Sequence, residues 1–234
     1  MKIYFAGITE LPDTHVKNTL EYLDNLDAES NGDISLQSEV ATAYQKVGDF
    51  QGNPYRSNLG NIQGAIASYR KSLAIREKLV AENPSNDEMR RNLANSYESI
   101  GDMFWTIGEY GEALKIYRQN LQIYLDVAKG GSASAENSFG IARASHRIGQ
   151  ALSRSGDTQG AMESFLMAQT KFQESIDLDP QGKYKRGMGS SLVKIGDMFA
   201  ATGDWKYALE YHQQDVKIAS ELSVAEPLKG RLYT

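Results

Sequence analysis

Residues 92–121 read NLANSYESIGDMFWTIGEYGEALKIYRQNL. Apolar residues recur at three- and four-residue steps on both sides of Gly108, which predicts a helix, a tight turn and a second helix. Small residues fall where two backbones must approach, at Gly101, Gly108 and Ala113. Tyr97, Ile100, Phe104, Leu114, Tyr117 and Leu121 fill the seam around them. A hairpin of this kind leaves an apolar edge on each side, so it needs copies of itself to bury that surface.

The copies are present. An alanine follows a glycine by twelve positions at Gly101 and Ala113, Gly149 and Ala161, and Gly196 and Ala208. A further copy, Gly48 with Ala65, carries five extra residues. The alanines at 65, 113, 161 and 208 set a period of 48, 48 and 47 residues. Before each second helix stands a glycine (Gly60, Gly108, Gly156, Gly203), followed by Asn61, Glu109, Asp157 or Asp204. The glycine is expected to end one helix in a left-handed conformation, and the polar residue to cap the next.

This pattern resembles the tetratricopeptide repeat. Tyr97, Ile100, Gly101, Phe104, Gly108, Tyr110, Ala113 and Tyr117 match it in the second copy. Ile148, Gly149, Leu152, Ala161, Phe165 and Ala168 match it in the third. Ile195, Gly196, Phe199 and Ala208 match it in the fourth, where His212 stands at an aromatic position. The common repeat has about 34 residues, so each helix here is longer by about two turns. The fold class expected is all-α: a right-handed α-solenoid of four long TPR-like hairpins, each of 47–48 residues, plus an N-terminal packing helix.

The expected divisions are a lead and packing helix over 1–34, repeats over 35–84, 85–131, 132–180 and 181–225, and a tail over 226–234. The lead ends at Pro12, and the packing helix runs from about 14 to 29. Asn31, Gly32 and Asp33 form a turn. Hairpin helices are expected at 35–51 and 62–82, 86–107 and 110–128, 135–155 and 158–177, and 184–202 and 205–223. Ser85 with Glu88 reads as a capping box. Trp205 reads as packing on the end of the last hairpin, whose final helix has no partner following it.

The composition narrows function. The 234 residues carry a net charge of −5, with no cysteine. No dominant basic stretch occurs, which argues against a nucleic-acid partner. No thiol chemistry or thiolate metal site is available, and no run of 18 apolar residues spans a membrane. The apolar start is too short for a signal peptide. His15, His146 and His212 lack metal-ligand spacing, and no cofactor motif is present. Gly187 and Gly189 imitate a phosphate loop but lack its third glycine and strand, so they read as a small-residue helix start. Carboxylate pairs such as Asp24 with Asp27 read as solvated helix ends. The chain is therefore expected not to be an enzyme.

The resemblance implies that first helices line a peptide-binding groove. Carried over by position, the groove takes Asn95, Glu98, Asp102 and Trp105 from the second copy. It takes Arg143, His146, Arg147, Gln150 and Arg154 from the third, and Lys194 and Asp197 from the fourth. Thr42, Gln45 and Asp49 hold these positions in the first copy. Arg143, Arg147, Gln150 and Arg154 fall at i, i+4, i+7 and i+11, on the helix face opposite Ile141, Ile148 and Leu152. Guanidinium forks in a row suit carboxylates or phosphates; the alternative is a solvated face neutralised by Asp102 and Asp197. Trp105 reads either as a partner anchor or as packing for the inserted loop. The partner expected is a protein or acidic peptide segment, with self-association through the terminal helices as the alternative.

Residues 8–14 (ITELPDT), 20–30 (LEYLDNLDAES) and 36–79 are similar to the repeat region of a group of bacterial receptor-type serine/threonine protein kinases, and GDFQGNPYRSNLGN, residues 48–61, is the most specific part of that similarity. No kinase motif occurs here, so the resemblance implies a sensing or docking region, placed outside the cytoplasmic membrane if the parent is a receptor. Tyr55 and Arg56 read either as a ligand-contacting lip or as part of a loop that packs on the hairpin end.

Overall fold

The computed structural model describes residues 3–30, 32–131, 134–180 and 182–225, with the backbone alone described at 3–13 and 225. Every regular element among these residues is an α-helix. In order they are α1 (Ile3–Glu29), α2 (Ile34–Gly52), α3 (Ile62–Glu82), α4 (Asp87–Thr106), α5 (Tyr110–Lys129), α6 (Ala135–Arg154), α7 (Thr158–Leu178), α8 (Gly182–Ala201) and α9 (Trp205–Ala225). The chain forms two compact units, dividing after Glu109.

In the first unit α1 packs on α2, α2 on α3 and α3 on α4. The glycine of α2 makes room for a ring of α3: a Cβ on Gly48 would sit 2.6 Å from Tyr69. Tyr44 donates to Asp24 at 2.6 Å, and Tyr97 donates to Glu77 at 2.7 Å. Both pairs lie twenty positions apart, so α1 meets α2 as α3 meets α4. The packing helix thus takes the register of a second helix. It puts Leu23 into a core with Val40, Ala41, Tyr44, Ile75 and Leu79.

In the second unit α5 packs on α6, α6 on α7, α7 on α8 and α8 on α9, and α6 also touches α8. Gly149 admits Phe165, and Gly196 admits the His212 ring, so the histidine fills the aromatic position of its copy. Between hairpins, Tyr124 covers Gly140 and Phe172 covers Gly187. A side chain on any of these four glycines would collide with the ring. The Gly187 stretch is accordingly a close helix contact.

Helix ends match the expected chemistry with three corrections. Gly108, Gly156 and Gly203 have φ of +83°, +86° and +83°, and end their helices as expected. Gly60, at +74°, instead closes a loop, because α2 already stops at Gly52. The cap of α4 is Asn86, which accepts from the Met89 amide at 3.1 Å, in place of Ser85. Two adjacent polar residues competed, and the one whose side chain reaches the N3 amide caps. The packing helix, expected to start at about residue 14 after a lead ending at Pro12, runs from Ile3. A proline inside a helix forfeits its own ladder bond while the bonds on either side of it persist. Asn31 and the 226–234 tail lie outside the described residues.

Candidate docking faces

Helix α6 is capped by Ser134 and buries Ile141, Ile148 and Leu152. Its other side carries Arg143, Arg147 and Gln150, all half-buried, and Arg154, exposed. The Arg143 guanidinium lies 5.4 Å from the centre of the Phe139 ring, which stiffens its base. Arg147 Nη1 donates to Gln150 Oε1 at 3.3 Å. On the adjacent α8, Lys194 lies 3.6 Å from Asp197, and Asp197 lies 3.8 Å from His212 Nε2. Gln150 stands in the register that holds Asp49, Asp102 and Asp197 in the other copies. The third copy thus carries an amide at the position where the fourth has the carboxylate beside its lysine.

His146 is wedged between helices. Its Nδ1 lies 2.9 Å from Ser191 Oγ, and its ring meets Phe165 edge-on at 5.3 Å. Burial, then the Arg147 and Lys194 charges, push its pKa from 6.5 down to about 4. The imidazole is therefore neutral between α6 and α8 at neutral pH. Ser191 is fully buried, so this contact packs the two helices together.

The expected groove residues of the first unit lie on α4. Asn95 and Trp105 are half-buried, and the Asn95 carbonyl accepts from Ser99 at 3.2 Å. Glu98 and Asp102, expected on an open wall, are enclosed at 5% and 8% exposure. Gln45 donates to Ser99 at 2.6 Å. Trp205, expected to pack, is 69% exposed. It stands at the first position of α9, ahead of the turns that face α8. Asp24, expected to be solvated, binds Tyr44 and Lys71.

Two features escaped the sequence reading. Arg76 is buried and donates to Gln45 Oε1, the Asn92 carbonyl and Ser96 Oγ. Desolvation lowers its pKa to about 10. Counting from each repeat alanine, Arg76 takes the place of Tyr124 and Phe172, and Asn92 that of Gly140 and Gly187. That alignment was the available signal. The second feature is the order of the inserted loop, described below. Among the described residues no cluster of His, Asp and Glu could hold a metal, and no helix is long and apolar enough to cross a membrane.

The class is that of all-α, TPR-like helical repeats. Residues 91–129 match the tetratricopeptide-repeat family model. Three solved structures resemble the whole chain at a TM-score of 0.51. One is MamA, 14% identical over 96% of this chain and 98% of its own. Another is BtubC from P. vanneervenii, 14% identical over 95% and 96%. The third is a Podosopora anserina kinesin-light-chain-like protein with nearly identical TPR-like repeats, 17% identical over 94% and 97%. At such identities the likeness concerns the fold. No curated protein sequence matches.

Proposed function

We propose that the side-by-side faces of α6 and α8 dock an acidic peptide segment of a protein partner. The observation that carries this reading is the row of Arg143, Arg147 and Arg154 on the side of α6 away from buried Ile141, Ile148 and Leu152, with the His146–Ser191 contact of 2.9 Å setting α8 and its Lys194 alongside. Within that row Gln150 stands in the register that holds an aspartate in the other copies. Residues 110–234 carry 15 Lys and Arg against 14 Asp and Glu, whereas 1–109 carry 10 against 16. That imbalance steers an anionic partner to the second unit. An acidic octapeptide of alternating glutamate and leucine should bind with a Kd on the order of 1–100 μM. Replacing Arg143 and Arg147 with alanine should weaken it by about tenfold or more, or about 1.4 kcal/mol. Equal binding by the variant contradicts the role given to these arginines.

A second reading is self-association through α9. Trp205, Leu209 and Val216 are 69%, 58% and 67% exposed and lie along one uncharged stripe of the helix. Such a stripe pairs with its own copy without a charge partner. Light scattering across concentrations tests this, and a mass that stays monomeric throughout rejects it. The sensing or docking role in a receptor kinase rests on the resemblance of residues 8–14, 20–30 and 36–79, of which 48–61 is the most specific part. It requires a kinase domain and a hydrophobic helix in the coding sequence upstream, and their absence there would dismiss it.

A further inference from the structure

The inserted loop over residues 53–61 is built, not slack. The α2 carbonyls of Phe50 and Gln51 accept from the Leu59 and Asn61 amides at 3.0 and 2.8 Å. Asn53 Oδ1 accepts from the Tyr55 amide at 2.9 Å. Asn58 donates to the Asn53 and Arg56 carbonyls at 2.7 and 2.9 Å, and accepts from the Gly60 amide at 2.7 Å. Asp49 ties the base, accepting from Tyr69 at 2.8 Å and Asn53 at 2.9 Å, with Arg56 at 3.7 Å. Side-chain amides that replace ladder bonds in this way hold a loop in one shape.

A loop that only sealed the hairpin end would turn its apolar side chains inward. Here Phe50 and Tyr55 are exposed at 50% and 56%, and Leu59 also faces solvent. Next to them opens a cavity of about 230 Å³, lined by Lys46, Asp49, Phe50, Arg56 and Ser57. Two cations and a hydroxyl surround one carboxylate, so the local charge of the wall is positive within a unit of negative sum. A polar-ended cavity beside an exposed ring suits a carboxylate next to an apolar side chain.

We propose that this loop is a second peptide site, in which Lys46 and Arg56 hold an acidic side chain and Phe50 receives its apolar neighbour. The loop arrives already ordered, so docking incurs little ordering entropy. The Asp49 carboxylate sets the affinity from beneath by competing for Arg56. The site belongs to the first unit and does not depend on the α6 arginines.

The test uses an array of random octapeptides tethered through their C-termini, so that every free carboxylate is a side chain. The wild-type chain should enrich Asp or Glu beside an aromatic or aliphatic residue. Lys46→Ala with Arg56→Ala should lose a subset of these peptides by about tenfold, while Arg143→Ala with Arg147→Ala retains that subset. Asp49→Asn, which removes the competing charge yet still accepts from Tyr69, should tighten the same subset severalfold. Circular dichroism and melting confirm that each variant folds. Failure to enrich acidic peptides, or a subset indifferent to Lys46, Arg56 and Asp49, overturns the proposal. Loss confined to the Arg143 and Arg147 variant assigns all acidic binding to α6.

Discussion

The Arg76 guanidinium donates to the Asn92 carbonyl at 3.1 Å, in the register where Tyr124 covers Gly140 and Phe172 covers Gly187. A polar junction thus replaces a ring on glycine between α3 and α4. Arg76→Ala strips Gln45, Ser96 and the Asn92 carbonyl of their donor and should cost about 1–3 kcal/mol. Arg76→Tyr alone should also destabilise, because the Asn92 side chain occupies the space of the ring. Arg76→Tyr with Asn92→Gly should recover at least the wild-type stability, since a packed apolar group replaces a buried charge. Urea unfolding of the four proteins closes the cycle, and additive single effects would show that the two positions do not share one contact.

Glycines of different role should respond differently to alanine. A Cβ on Gly149 falls 2.8 Å from the Phe165 ring, so Gly149→Ala should cost about 1–3 kcal/mol. Gly111 meets nothing within 4 Å and is the second residue of α5, so Gly111→Ala should gain about 0.4–1 kcal/mol. Thermal melts rank the two, and the reverse order would refute the packing described between α6 and α7.

Ser72 is fully buried and its hydroxyl has no hydrogen-bond partner. Ala168 holds the same register in the third copy. Ser72→Ala should therefore be neutral or stabilising by up to about 1 kcal/mol, because it removes a desolvated hydroxyl without opening a large void. A loss of more than about 1 kcal/mol in urea unfolding would mean that the hydroxyl is bonded.

His146 ties stability to pH. Its folded pKa is lowered from 6.5 to about 4, so the unfolded chain takes up this proton first as pH falls. The His146 contribution is complete above about 6.5 and declines as pH drops towards 4. His146→Gln should flatten the stability profile over that window relative to wild type. An unchanged slope, or a histidine titrating near 6.5 by NMR, would contradict the burial assigned to it.

The positions of α2 to α9 were legible to within about two residues. The reason is local: a glycine at positive φ followed by a capping side chain fixes Gly108, Gly156 and Gly203 whatever the surroundings. Asn86 over Ser85 was not legible, because a single hydrogen bond settles it, and the helix across Pro12 was not, because proline ordinarily ends a helix. The face carrying Arg143, Arg147 and Arg154 followed from helical spacing. The enclosure of Glu98 and Asp102, the exposure of Trp205 and the burial of Arg76 depend on what packs against a helix, which spacing within that helix does not encode. The Arg76 exception was recoverable only by comparing one copy with the next.

The most direct measurement of the central claim is NMR mapping of the acidic octapeptide on the intact chain. Amides over residues 143–154 and 190–197 should shift together along one titration curve, and the shifts should shrink as salt rises. Shifts that leave α6 and α8 untouched, or that ignore salt, would contradict the docking of an anionic segment between Arg147 and Lys194.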